Sequence, residues 1–258
     1  MLLAIDIGNT NITLGVWSGR TWLHQWRLST APANTVDEYG ILLRALLNEF
    51  QLAPNLDAVI LCSVVPTLTN TFTEASSRYL GLTPLQVGLH LDLGIRVLTD
   101  IPSAVGADRV VNAVAVHTLY PGPVITIDMG TATKLDVVTA VGDLCGGVIA
   151  PGLRLAADTL VARAAKLSHV ALEAPPHVLG RNTAEAMQSG LIFGYVSLVE
   201  GLVQRLYAEH PDRNQHIRVI GTGGLIHLIA PHTAVFDTID PALTLQGLRL
   251  IYERAQLR

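Results

Sequence analysis

The 258-residue chain is half apolar and only 15% charged, with few aromatics, which excludes a disordered polymer and favours an α/β or helical protein with a Leu, Val, Ile and Ala interior. Its formal charge of −4 comes without any basic cluster, so the electrostatic footprint of a nucleic-acid or anionic-lipid binder is missing. The length suits one large domain or two of about 130 residues.

From the N-terminus, MLLAIDIGNT reaches Asp6 with no basic n-region, and nowhere do about 18 apolar residues run uninterrupted. Neither export nor membrane insertion is indicated, and the chain reads as cytoplasmic. LLAIDIG is a short apolar run that ends in a glycine turn. NITLGVWSGRTWLHQWRL continues as alternating strands around a Ser18-Gly19 turn signal. Apolar residues at helical spacing predict a helix over 35–50. LDAVILCSVV (56–65) is β-branched and stops at Pro66, and a helix is predicted over 68–80.

Cys62 within that apolar run and Cys145 before Gly146-Gly147 read as separate buried thiols, with pairing as the alternative. Nine scattered histidines show neither His-x-x-x-His nor Cys-x-x-Cys spacing, so zinc is unsupported. Thr99 to Ser103 is turn-rich, a helix is predicted over 105–119, and Tyr120-Pro121-Gly122-Pro123 breaks it. The domain boundary is placed there, giving units 1–119 and 120–258.

After the break the opening pattern recurs. ITIDMGTATKLDVV matches AIDIGNTNITLGVW when Asp128 is set on Asp6, an offset of about half the chain that a duplicated domain explains. Helices are then predicted over 154–167 and 183–209, the second opened by Asn182 and Glu185 in a capping-box-like pattern. A strand at 217–220 runs into Gly221-Thr222-Gly223-Gly224, a helix follows, and 241–258 is helical again.

A strand ending in Asp-x-Gly followed by hydroxyl and amide residues lets backbone N–H groups approach phosphate oxygens while the aspartate holds a metal or its water shell. Alone, Asp6-Ile7-Gly8 is equally an ordinary turn. Repeated at Asp128-Met129-Gly130-Thr131, it suggests a nucleotide clamp. The Gly221–Gly224 cluster lacks both the G-x-G-x-x-G spacing and the P-loop lysine, and reads either as a tight turn or as a backbone surface for adenosine or phosphate. Asp108, after Gly106, is either a solvated first-turn acid or part of a site.

Together, Asp6-Ile7-Gly8-Asn9-Thr10, Gly106-Ala107-Asp108-Arg109, Asp128 to Thr133, Gly146 to Gly152, Gly180-Arg181-Asn182-Thr183 and Thr222-Gly223-Gly224 resemble type III pantothenate kinases. The likeness spans essentially the whole chain. It implies an α/β fold of duplicated actin-like ATPase (ribonuclease H-like) domains, each a mixed sheet flanked by helices. It also implies ATP-dependent phosphorylation of pantothenate to 4'-phosphopantothenate, the first step of coenzyme A biosynthesis, with Mg²⁺ and a monovalent cation, K⁺ or NH₄⁺. By that likeness Asp6, Ile7, Gly8, Asn9, Thr10, Asn11, Ile12, Thr13 and Thr131 contact ATP. Gly106, Ala107, Asp108, Arg109 and Thr183 contact pantothenate, Asp108 is the catalytic base, and Asp128 holds the monovalent cation. A homodimer is implied too, with Gly190 and Gly194 allowing helices to approach.

Two positions depart from the family pattern. Lys134 follows Thr133 where a threonine is common, and reads either as a solvated strand lysine or as an ammonium near the cation or phosphate site. Thr99 stands where an aromatic often contacts the substrate. The competing readings are a non-catalytic nucleotide sensor and a kinase of the same fold acting on another alcohol.

Overall fold

The computed structural model describes residues 1–257. Strand β1 (Leu2–Ile7) turns back into β2 (Asn11–Trp17) and then β3 (Trp22–Ser29). Helix α1 (Val36–Glu49) starts at Thr35, whose side chain accepts from the Glu38 N–H while Glu38 returns a bond to the Thr35 N–H. That reciprocal cap satisfies two of the donors every helix start leaves open. β4 (Ala58–Ser63) leads into α2 (Pro66–Leu80), with Pro66 in the first turn, where its missing N–H costs nothing. Gly81, at φ 71°, closes α2 in the left-handed conformation.

Short edge strands β5 (Leu85–Gln86) and β6 (Arg96–Val97) precede α3 (Ala107–Leu119). The opening pattern then repeats as β7 (Val124–Met129), β8 (Ala132–Val138) and β9 (Asp143–Pro151). Next come α4 (Leu153–Arg163), α5 (Thr183–Glu209), β10 (Arg218–Thr222), the single-turn α6 (Ile226–Ile229), β11 (Thr238–Ile239) and α7 (Leu243–Gln256).

The chain forms two compact units. The first comprises Met1–Ile95, Asp100–Ala115 and Leu243–Arg258, and the second Arg96–Thr99 and Val116–Ala242. A division in chain order at 119/120 leaves α7 with the second unit, whereas its contacts are with β1, β2 and β4 of the first.

In the first unit the strand order is β3-β2-β1-β4-β5. β1 pairs antiparallel with β2 and parallel with β4. Leu3, Ile5 and Ile7 of β1 are fully buried among Leu43, Leu47, Leu68 and Phe72, and each such side chain contributes about 1.5–3 kcal/mol relative to exposure. Gly40 lets α1 close on α2, since a Cβ there would lie 2.2 Å from the Tyr79 ring.

In the second unit the order is β11-β10-β7-β8-β9-β6. Apart from β6 this is the first sheet again, with β7 in the place of β1, β8 of β2, β9 of β3 and β10 of β4, parallel and antiparallel pairings included. The duplication read from two short strands therefore extends to five. Its core is Ile125, Ile127, Ile192, Val199, Val203 and Val219. α5 is long and apolar enough to cross a bilayer by composition, but here Ile192, Val199 and Val203 pack it into this core. Cys62 is buried, Cys145 is half-buried, and the two form no disulfide.

Several predicted elements shift. α4 ends at Arg163 rather than near 167, and β9 lies where Gly146-Gly147 disguised it. Gly146 sits at φ 139° and the β8–β9 register slips beside it, so the glycines mark a bulge within a strand rather than its end.

Candidate active site

Two hairpin turns are built alike at the ends of β1 and β7. In the first unit, Asp6 is the last half-buried polar residue of β1 before Ile7, and Gly8, Asn9, Thr10 and Asn11 form the turn. The Gly8 N–H donates to the Asn11 carbonyl at 3.0 Å. The Thr30 hydroxyl donates to the Gly8 carbonyl at 2.7 Å, and the Thr30 N–H to the Thr10 carbonyl at 3.0 Å. The carbonyls of Gly8, Thr10 and Asn11 are thus satisfied from within the fold. Asn9, Thr10 and Asn11 themselves are exposed, while Ile12 is fully buried and Thr13 half-buried opposite Asp6.

Beside this hairpin, within the same unit, stands the start of α3. The Val64 N–H, just past β4, donates to the Ile7 carbonyl at 3.0 Å. A Cβ on Gly106 would lie 3.6 Å from Val64 and 2.7 Å from Asp108 Oδ1. A side chain at 106 would therefore push into the carboxylate. Asp108 Oδ1 accepts from the Arg109 N–H at 2.8 Å, which fixes the carboxylate in the first turn of the helix, where the backbone dipole favours negative charge. Asn112, one turn on, is buried and accepts from the Thr244 hydroxyl of α7 at 2.9 Å. The structure thus brings Asp6 to Thr13 and Gly106 to Arg109 to the carboxyl ends of β1 and β4. That edge is where open α/β sheets bind ligands.

The second hairpin repeats the plan. The Gly130 N–H donates to the Ala132 carbonyl at 3.1 Å, and the Gly152 N–H to the Thr131 carbonyl at 3.1 Å, the counterpart of the Thr30 tether. A Cβ at 152 would fall 2.2 Å from the Thr131 carbonyl oxygen, so glycine is required there. Gly223, at φ 95°, presses on Asp128 so closely that a Cβ would come within 2.6 Å of Oδ1. The Gly221–Gly224 cluster is therefore a tight turn that packs against the aspartate. Thr30 and Gly152 carry no role in the sequence reading. Gly152 ends the glycine-rich stretch Gly146 to Gly152, while no local pattern marks Thr30.

One difference separates the hairpins. The first spans four residues between the paired Ile7 and Ile12, the second three between Met129 and Thr133. The residue opposite Asp128 is consequently Lys134, as Thr13 is opposite Asp6. Lys134 Nζ lies 2.7 Å from Asp128 Oδ2, with the two side chains only 14% and 16% exposed. Lys134 is thus neither solvated nor remote.

Hard oxygen donors suit Mg²⁺, which takes one or two carboxylates and completes its shell with water and phosphate oxygens. Asp6 offers such a donor, and the described residues hold no group of three or more metal-ligating side chains that would suit another ion. A monovalent ion fits poorly on Asp128, because it would meet the Lys134 ammonium. Two unit charges about 4 Å apart repel by roughly 4 kcal/mol at an effective dielectric constant near 20.

Thr183 lies elsewhere in the second unit, exposed at the first position of α5. It borders a cavity of about 540 Å³ between α4 and α5, lined by Ala156, Leu160, Met187, Leu191 and Tyr195 among others. Thr99 is half-buried in the same unit, its hydroxyl oxygen enclosed without a hydrogen-bond partner.

Comparison with known proteins agrees with this architecture. The family model described as type III pantothenate kinase matches residues 2–205. Type III pantothenate kinases of Moorella thermoacetica (46% identical, covering 98% of this chain and 99% of the relative) and Geobacter sulfurreducens (46%, 98% and 99%) align end to end. Among solved structures, a Baf family protein from Campylobacter jejuni superposes with TM-score 0.62 at 16% identity, covering 99% of this chain and 100% of that one. MreB5 of Spiroplasma citri, solved with ADP, gives 0.56 at 12%, covering 99% and 98%. These two likenesses show the fold, that of the actin-like ATPases, and the match over most of the length shows more: the chain belongs to the type III pantothenate kinase family.

Proposed function

We propose that the chain transfers the γ-phosphoryl group of ATP to the primary hydroxyl of pantothenate, yielding 4'-phosphopantothenate for coenzyme A synthesis, with Asp108 as general base. The observation that carries the base assignment is the carboxylate of Asp108, held by the Arg109 N–H at 2.8 Å at the carboxyl edge of the first sheet, beside the Asp6 hairpin. An alcohol is too weak an acid to ionise first. A carboxylate within hydrogen-bond reach accepts its proton on Oδ as the oxygen attacks phosphorus.

Phosphoryl transfer demands alignment and charge neutralisation more than covalent help. The exposed turn residues Asn9, Thr10 and Asn11, with Gly8 and Thr13, are proposed to donate to ATP phosphate oxygens, as is Thr131 at the tip of the second hairpin. Ile7 and Ile12 shape the turn from beneath. Asp6 is proposed to hold Mg²⁺ or its water shell, and the bound ion supplies charge neutralisation at the phosphates. Arg109 presents a planar fork suited to the pantothenate carboxylate, Gly106 and Ala107 offer backbone at the same helix start, and Thr183 is assigned to the substrate on family likeness.

Replacing Asp108 with Asn or Ala should lower phosphopantothenate formation by roughly 10²–10⁴-fold while ATP still binds, measured by coupled turnover and by nucleotide titration. Full activity in Asp108→Asn would remove the base assignment. A substrate panel that gave turnover on another alcohol but none on pantothenate would favour the alternative kinase. ATP binding without turnover on any alcohol would favour a nucleotide sensor.

A cytoplasmic homodimer completes the proposal. Gly190 and Gly194 are exposed on α5 with nothing within 4 Å of where a Cβ would stand. Leu155 and Leu160 of the neighbouring α4 are 50% and 39% exposed. An apolar surface with backbone this accessible suits close packing against a second copy.

A further inference from the structure

We infer that Lys134 is a built-in monovalent cation: its ammonium occupies the charge position at Asp128 and frees the enzyme from potassium or ammonium ions. The inference rests on the proposed kinase activity for its catalytic consequence, and on geometry alone for its binding consequence.

Four observations converge. Lys134 and Asp128 are directly opposed on β8 and β7, so both side chains leave the sheet on the same face. The ammonium touches the carboxylate at 2.7 Å, and both are mostly withdrawn from water, so the pair is screened far less than a surface ion pair. The glycine turn packs near the other carboxylate oxygen, since a Cβ at Gly223 would come within 2.6 Å of Oδ1. Finally, the equivalent pair in the first unit is Asp6 with Thr13, neutral on the β2 side. Of two otherwise matching hairpins, one sets a threonine opposite its aspartate and the other a lysine.

A lysine ammonium has the charge of K⁺ and the donor chemistry of NH₄⁺. One of its three N–H groups serves Asp128, and the tether removes the cost of capturing a free ion. A diffusible ion and Nζ compete for the same carboxylate, and the tethered group is always present. Lys134 therefore supplies fixed positive charge at the second hairpin, without a proton or bond changing hands.

The test compares wild-type protein with Lys134→Thr, which copies the first hairpin, and Lys134→Ala, each in KCl, NH₄Cl and choline chloride at equal ionic strength. Two quantities are read: phosphopantothenate formation with ATP and Mg²⁺, and the thermal midpoint without substrates. Wild-type turnover should agree within about twofold in all three salts, and its midpoint should not respond to potassium. Both variants should lose at least tenfold activity in choline, regain much of it in potassium or ammonium, and show a midpoint that rises with either ion relative to choline. If one variant does not fold, the other carries the comparison, and if neither folds, the wild-type salt series decides. Strong potassium activation of the wild type, or variants indifferent to the cation in both readings, would overturn the inference. Absence of turnover in every salt would overturn the kinase reading instead, and the thermal midpoints would still decide the role of Lys134.

Discussion

His210, at the end of α5, is 1% exposed, and its Nδ1 accepts from the Asp212 N–H at 3.0 Å. Burial penalises the charged ring and pushes its pKa below the ordinary imidazole value, a shift that Asp212 only partly opposes. The native state therefore binds fewer protons than the unfolded chain as pH drops below about 6.5. The stability carried by the neutral ring is complete above that value and is lost as pH falls toward the folded pKa. The thermal midpoint should accordingly decline between about pH 7 and pH 5, and His210→Asn, which keeps an acceptor but cannot titrate, should flatten the decline. An identical slope in the variant would place the acid sensitivity elsewhere. Tyr120 is pushed in the direction burial dictates for an acid, up to about 12, with Asp240 3.1 Å from its hydroxyl.

At the scale of elements, the second hairpin depends on one glycine. Gly152 ends β9 and ties its N–H to the Thr131 carbonyl, and alanine there would drive a Cβ to 2.2 Å from that oxygen. Such overpacking against backbone costs typically about 1–3 kcal/mol. Gly152→Ala should therefore lower the denaturant midpoint and also weaken ATP binding through a displaced Thr131. A variant with wild-type stability and nucleotide affinity would show that the turn yields easily. The hairpin pattern itself was legible in the sequence, because Asp-x-Gly after an apolar run has a local cause. The place of Lys134 near the cation or phosphate site was legible as one of two readings, but its direct pairing with Asp128 was not. A gapless match sets Thr13 on Leu135, and only the shorter turn, visible once the strands are paired, brings Lys134 into line. A shift of one residue exchanges the two faces of a strand, so the chemistry of the site turned on a length that periodicity does not report. The start of α3 was legible to within two residues. The edge strands β5, β6 and β11, of two residues each, are too short to show a period.

On the scale of the whole molecule, the duplication makes two sheets of one plan, yet evolution of the plan left them unequal in charge at the aspartate. The exposed glycines of α5 and the leucines of α4 lead to the expectation that the protein has twice the chain mass at micromolar concentration by light scattering. A monomeric mass would contradict the proposed dimer. The placement of α7 was beyond sequence reasoning, since amphipathic spacing reveals that a helix has a core face but not which core receives it. Its partners are remote in sequence. Leu245 lies against Gly15 and the Trp22 ring, and Gly247 rests on the backbone of Val111, where a Cβ would stand 2.3 Å from the carbonyl.

That return of α7 sets an order of assembly during synthesis. The second unit is nearly continuous, while the first, though translated earliest, needs the last helix to cover β1, β2 and β4. On the ribosome the part made first is finished late, because β1 with its Asp6 hairpin waits for α7 before its core is sealed. The nascent chain thus forms its Lys134 hairpin before the unit that carries Asp108 is complete, so the two aspartate hairpins mature in the reverse of their order in the chain.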